Sequence, residues 1–341
     1  MAHLSAFVSL AYNSIIYLSD DTKKFLECTD REFEQFEQKN EFSNVRIANN
    51  NDMAEIIEDH LQLRLTIEER YLDSLKFVSI STSHRRMYRI YSRMMEAYAY
   101  RQADFNNWKN MTEKDIMMKF YLPIFEILFE NSPIQTRLGE SENSESREVR
   151  KVREHADSRG AYKVDLRLVI HRSNKWYDVA NMEFAKNGDV VKKNVSDAAK
   201  FMVEGKCILD QIVRIARLSE EKAKKICVVN LQICAMKAAL MGLKLRKNGE
   251  EYVAQKLGPT MRYPTSEDRL PIFFKTMLPY LFYMKEQAEK NALMIQSGLN
   301  HDSSKFGSQS PTPDAPFLKE TWLGPKHSKR SAVPRLPNEF F

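Results

Sequence analysis

The stretch AYKVDLRLVIHRSNKWYDVANMEFAK, Ala161 to Lys186, reads as two β-strands joined by a short polar turn. In the first strand, Tyr162 to Ile170, Val164, Leu166, Leu168 and Ile170 share one face, and Asp165, Arg167 and Val169 share the other. His171 to Lys175 forms the turn, with Ser173-Asn174 as its breaker pair. The second strand runs from Trp176 to about Phe184. Each strand carries one acid at a place where a neutral residue is easier to bury. Asp165 is the first, and Glu183, on the face of Val179 and Asn181, is its counterpart. Carboxylates at corresponding places on adjacent strands repel one another, and a chain keeps such a pair most readily about a cation. The plainer alternative is that both acids lie at strand ends, in water.

Working outward, the segment before this pair is polar and reads as an exposed loop, Ile134 to Gly160. Ahead of it, Met111 to Asn131 reads as a helix capped by Thr112 with Asp115 three positions on, and kinked at Pro123. After the pair, Ser196 is the expected cap of a helix from Asp197 to Leu218. Phe201, Ile208, Ile212 and Ile215 form its apolar stripe, and Lys200, Lys206, Arg214 and Arg217 decorate the rest. Ile226 to Ala235 is rich in β-branched residues and reads as a buried strand. Met236 to Arg246 is open between strand and helix. Lys247-Asn248-Gly249 is a strong turn, and Glu251 to Leu257 a short strand back, so 226–257 reads as a hairpin. Ile272 to Met294 is a final helix burying Phe273, Phe274, Met277, Leu281 and Met284. The expected fold class is α/β (α+β), a central mixed sheet flanked by helices 112–130, 197–218 and 272–294.

Residues 1–110 read as a helical accessory region, 111–296 as the α/β domain and 297–341 as a disordered, Pro-rich, basic tail. Thr29 to Gln38 has a Thr cap and Phe33 and Phe36 on one side, as a helix would. Met53 to Phe77 has helical spacing. The helix His84 to Asn106 places Arg85, Arg89 and Arg93 on one stripe, with Tyr88, Tyr91, Tyr98 and Tyr100 nearby. That pattern suits phosphate contact with stacking, or else a solvated outer face over an aromatic core.

The 341 residues suffice for a buried core, and 43% hydrophobic with 29% charged residues describes a soluble globular protein. The scarcity of glycine, 10 residues, disfavours a Gly-rich phosphate loop, and neither G-x-x-x-x-G-K-[ST] nor G-x-G-x-x-G is present. Cys28, Cys207, Cys227 and Cys234 have no zinc-site spacing and read as thiols of a reducing compartment. The start has no basic n-region and its apolar run is interrupted, so neither a signal peptide nor a membrane span is expected. Net charge is +6, unevenly spread: residues 1–60 carry five Lys/Arg against twelve Asp/Glu, whereas 61–110 and 191–225 each carry nine against five. Basic segments set apart from an acidic one suggest a polyanion-binding face, and Lys193, Lys200 and Lys206 join the Arg stripe as candidates. The run Lys326 to Arg330 could serve as a nuclear address, so an intracellular place, nuclear ahead of cytoplasmic, is expected.

The order helix, acid on a strand, turn, acid on a second strand, basic helix and further strands resembles the core of the PD-(D/E)XK, restriction-endonuclease-like nuclease superfamily. The likeness covers about 112–257, with Asp165 in Val-Asp-Leu and Glu183 in Met-Glu-Phe as its anchors. Gly139-Glu140, the Val-Asp-Leu-Arg strand and Ile208-Leu-Asp-Gln211 are also similar to uncharacterised families of early-diverging fungi that share this core. The resemblance implies that Asp165 and Glu183 hold a divalent metal, Mg²⁺, with an acid from the preceding helix, Glu113 or secondly Glu126. It also implies a Lys two residues after the Glu, whose ammonium offsets charge on phosphate. Here Ala185 stands in that place. Lys186, one further on, alternates to the opposite face unless a bulge turns it. Lys163, on the face of Asp165, is the preferred substitute, Lys200 is the next, and Lys193 is a third. Otherwise the fold only binds. The expected function is therefore metal-dependent cleavage of nucleic-acid phosphodiester bonds, or a catalytically silent nucleic-acid-binding or protein-interaction module on the same fold.

Overall fold

The computed structural model describes residues 10–19, 51–80, 84–142, 163–185, 191–246, 251–303, 315–319 and 321, with isolated positions between 20 and 50. Most of Thr29 to Gln38, most of the loop before Gly160, Lys186 and the run Lys326 to Arg330 lie outside the described residues.

The architecture is a seven-stranded mixed sheet with helices on both faces. In chain order the described elements are strand β1 (Ile15–Leu18) and helices α1 (Asn51–Gln62), α2 (Ile67–Ile80), α3 (Arg85–Tyr100) and α4 (Gln102–Asn107). Next, α5 (Glu113–Ile116) passes through a π-turn (Met117–Tyr121) into α6 (Leu122–Leu128). Strands β2 (Gln135–Glu142), β3 (Lys163–Arg172) and β4 (Lys175–Ala185) precede α7 (Val191–Ile215) and α8 (Glu220–Ala223). Strands β5 (Val228–Cys234), β6 (Lys237–Leu245) and β7 (Tyr252–Arg262) precede α9 (Leu270–Thr276) and α10 (Leu278–Ser303).

The spatial order is β1-β7-β6-β5-β4-β3-β2. β2, β3 and β4 form an antiparallel meander, as do β5, β6 and β7, and the two meanders meet at a parallel β4–β5 pair. Parallel neighbours need a long crossover, and α7 is that crossover. The stretch left open at 236–246 is strand β6, because a two-residue turn with Ala235 at φ 52° folds it straight back on β5.

Three local expectations change. The first part of the expected loop 134–160 is strand β2, held to β3 by antiparallel pairing. The backbone of α7 is already helical at Val191, so Ser196 lies inside the helix rather than capping it. The last helix breaks at Met277 into α9 and α10, and α10 runs to Ser303, past the point where composition predicts order to end. Thr112 and Asp115 do form a reciprocal capping box, and Pro123 sits in the first turn of α6, just after the π-turn, where its missing N–H costs least.

β1 was not expected. It pairs parallel with β7, Ile15 opposite Tyr252, so the N-terminal part of the chain contributes an edge strand to the common sheet. Helices α1 to α3 share one hydrophobic cluster with the sheet, through residues such as Ile57, Tyr91 and Met94. Arg70 bonds Glu267 at 2.8 Å, and the Tyr98 hydroxyl donates to the Pro264 carbonyl at 2.9 Å. No helix among the described residues is long and apolar enough to cross a membrane.

Candidate active site

The β3–β4 hairpin closes on a two-residue loop in which Ser173 and Asn174 both have positive φ, 49° and 58°, as the strand twist of such a turn demands. From it the register runs His171↔Trp176, Ile170↔Tyr177 and Val169↔Asp178, then shifts, so that Leu168 faces Ala180, Arg167 faces Asn181 and Leu166 faces Met182. Val179 is the extra residue of a bulge. Its carbonyl lies 3.4 Å from the Asn291 amide of α10, which also donates to the Cys227 carbonyl at 3.2 Å.

Asp165 and Glu183 lie on the same face of the sheet, at the end where β4 finishes and β3 begins. α7 covers that face: its Lys200 Nζ donates to Glu183 Oε1 at 2.8 Å, and its Glu204 accepts from Arg167. Asp165 Oδ2 accepts the backbone N–H of Phe184 at 2.8 Å, so a side chain takes the place of a ladder bond where the strands end. Glu183 is buried, at 7% exposed, and the Lys200 side chain that meets it is 23% exposed. Gln232 of β5 stands beside Glu183 in the parallel register, half-buried.

One repeat further in lies a second charged set that the sequence pattern did not single out. Arg167 is two residues from Asp165, Asn181 two from Glu183, and Glu204 one helical turn from Lys200. Arg167 donates to Asp178 at 2.8 Å, to Asn181 Oδ1 at 3.2 Å and to Glu204 at 2.9 Å, and it is fully buried. Burial alone would lower its pKa; Asp178 and Glu204 outweigh that and raise it. Strict alternation puts Asp178 and Asn181 on opposite faces, and the bulge at Val179 brings both to one guanidinium. Asn230 of β5 extends the set by accepting the Asn181 N–H at 2.9 Å, and Gly205 makes room for it, since a Cβ there would meet Asn230 Nδ2 at 2.5 Å.

No protein-family model, curated protein or solved structure matches the chain.

The other sequence candidates scatter. Lys163 is exposed at the start of β3. Glu113 is half-buried in the first turn of α5, and Glu126 is exposed on α6. Lys193 falls in the first turn of α7. Arg85 is exposed, whereas Arg89 and Arg93 pair with Glu130 and Glu96. Tyr88, Tyr91 and Tyr98 are buried in the core, so the aromatic part of that stripe is packing and not a stacking surface.

Lys206 is not a surface cation. Its fully buried ammonium donates to Asp210 at 2.8 Å, to the Lys319 carbonyl at 2.6 Å and to Thr321 Oγ1 at 2.8 Å, and lies 4.7 Å from the Tyr252 ring centre. Tyr252 donates to the other Asp210 oxygen at 2.6 Å. Burial pushes the Asp210 carboxyl up, against the pull of Lys206. The flanking Cys207-Ile208-Leu209, with an acid four positions on, was the available sign of this burial.

Among the described residues no group of three or more His, Cys, Asp or Glu side chains is placed to hold a metal ion. Asp165 and Glu183 place two carboxylates, the hard-oxygen type of donor, on one face at the end of the β3–β4 pair. An ammonium already stands against one of the two.

Proposed function

We propose that the chain is a metal-dependent phosphodiester hydrolase acting on nucleic acid. The observation that carries this reading is the Lys200 amine at 2.8 Å from Glu183, on the face that also bears Asp165. It supplies from α7 the cation that Ala185 fails to supply from β4. The order of helix, acid-bearing strands, crossover helix and further strand on which the nuclease resemblance rests is also the order of elements along this fold.

Asp165 and Glu183 would hold Mg²⁺, which when bound polarises a phosphate oxygen and lowers the pKa of a water. The chain's own residues do the rest. The Asp165–Phe184 bond fixes one carboxylate to the backbone of the other strand. Lys200 shields Glu183 and presents an ammonium toward charge developing on phosphate. The sealed Arg167 set beneath holds β3, β4 and α7 in mutual register.

The test is cleavage of plasmid and of single-stranded DNA in Mg²⁺ or Mn²⁺ by wild type, Asp165→Ala and Lys200→Met. Wild-type cleavage is expected, with losses of about 10²- to 10⁴-fold in each variant. Absence of cleavage by wild type, with salt-sensitive DNA binding intact, would reject catalysis. One observation favours that second, binding-only reading: the Glu183–Lys200 pair neutralises the carboxylate without a metal.

A further inference from the structure

The cations of the Arg stripe are largely spent on carboxylates, and Lys206 is spent in the interior. The β3–β4 hairpin presents the opposite situation. Its tip, His171-Arg-Ser-Asn-Lys-Trp176, contains no acid, and all six residues are exposed. Trp176 is 39% exposed, although it is among the largest apolar side chains of the chain. The His171 ring lies across the strand from it, centroids 4.5 Å apart. The exposed Arg137 guanidinium of β2 lies 5.8 Å from the Trp176 ring centre. Among the described residues, Arg137, Arg172 and Lys175 form no ion pair with a carboxylate.

The register fixes where this cluster sits. His171 has the parity of Arg167 and Asp165 on β3, Trp176 is its partner, and Arg137 is the partner of Arg167 on β2. The ring platform and the two acids therefore share one face of the sheet. His171 lies six steps along the strand from Asp165, about 20 Å at the usual rise. An indole flanked by an imidazole and a guanidinium, ringed by unpaired cations, has the chemistry of a base-stacking platform with phosphate contacts. Duplex DNA keeps its base faces stacked and offers them no such contact.

Resting on the nucleic-acid reading of the acid site, we infer that the Trp176–His171–Arg137 cluster is a docking platform for single-stranded nucleic acid, which stacks an unpaired base on Trp176 while Arg137, Arg172 and Lys175 contact the phosphates.

The experiment is equilibrium binding of a fluorescein-labelled homopyrimidine single strand, as DNA and as RNA, and of a duplex, to the full chain without added metal, by anisotropy. Trp176→Ala is expected to weaken single-strand binding about tenfold or more, and Trp176→Phe to keep most of it. The double variant Arg172→Glu, Lys175→Glu should weaken binding and flatten its salt dependence, with the hairpin ring pair intact. Circular dichroism and thermal melting verify folding of each variant. Equal binding by Trp176→Ala and wild type, or equal loss of single-strand and duplex binding, overturns the inference. Wild type without affinity for any single strand also overturns it, whereas Asp165-dependent cleavage of duplex in the same preparation would leave the hydrolase reading standing. Platform-dependent binding without cleavage supports the inference and sinks the hydrolase reading.

Discussion

Two charged sets lie one repeat apart on the same face of the same sheet. The outer one lies at the end of the β3–β4 pair, with Asp165 and Lys200 half-buried over a buried Glu183. The inner one, Arg167, Asp178, Asn181 and Glu204, is sealed. Both draw on β3, β4 and α7 and join one cation to carboxylates, and what separates them is the depth of that cation: Lys200 is half-buried, Arg167 fully buried. A buried charge that loses its partner is stranded, because nothing can replace it. For a partly exposed one the medium supplies a substitute. α7 repeats the lesson in its own lysines: Lys200 reaches the open pair, and Lys206, less than two turns on, is closed in by Asp210, Tyr252 and Thr321.

The sharpest way to break this comparison is Arg167→Met. It removes the buried guanidinium to which Asp178 and Glu204 are both bonded, and a loss of about 3–5 kcal/mol is expected in urea unfolding. A loss under 1 kcal/mol would mean that the inner set is not sealed. Lys206→Met comes next, at about 2–4 kcal/mol, because Asp210 retains the Tyr252 hydroxyl as a partner. Faster amide exchange at Phe317 and Leu318 should accompany it, since the ammonium holds the Lys319 carbonyl and Thr321. Gly205→Ala should cost about 1–2 kcal/mol, since displacing Asn230 from the Asn181 N–H outweighs alanine's better helix propensity.

Lys200→Met should cost about 1–2 kcal/mol in stability, more than an exposed pair because the Glu183 carboxylate is buried, and less than a sealed pair because Lys200 is partly exposed. Added Mg²⁺ should shrink that deficit, because an ion that binds only the folded chain stabilises it. An unchanged melting temperature on Mg²⁺ titration would argue against the outer set as an ion site. The smallest effect belongs to a sealed group away from the sheet face. His60 of α1 meets the Tyr91 hydroxyl at 2.6 Å and Asp73 at 3.2 Å, and burial lowers its pKa from 6.5. A lowered folded value means that the unfolded chain takes up the proton first. The stability from neutral His60 is therefore complete above pH 6.5 and drains away as pH falls below it. His60→Gln should flatten that part of the stability–pH curve.

What was legible in the sequence is what is local. The period of two put Asp165 and Glu183 on one face, Ser173-Asn174 fixed the hairpin, and the Thr112–Asp115 spacing marked a helix start; each needs only near neighbours. The inner set was hidden because a single bulged residue inverts the parity on which face assignment depends, and strict alternation sets Asp178 on the face opposite Asn181. Lys206 was misread because helical spacing treats a lone lysine as solvated and cannot register a docked segment more than a hundred residues later. β1 was invisible for a similar reason: four residues carry little pattern, and their partner strand lies near the other end of the chain. The Lys200 contact fell between these cases. Its candidacy followed from the chain order, but its contact with Glu183 follows from how the crossover helix lies on the sheet.

The β1–β7 pairing carries a consequence for how the protein is made. Ile15 is synthesised more than two hundred residues before Tyr252, its partner in the sheet. Until then the early strand has no template, and once β7 forms, its free edge is open to any extended segment nearby. So long a contact is slow to close, so the capture of this early-made segment by a strand made much later should be among the late steps of folding.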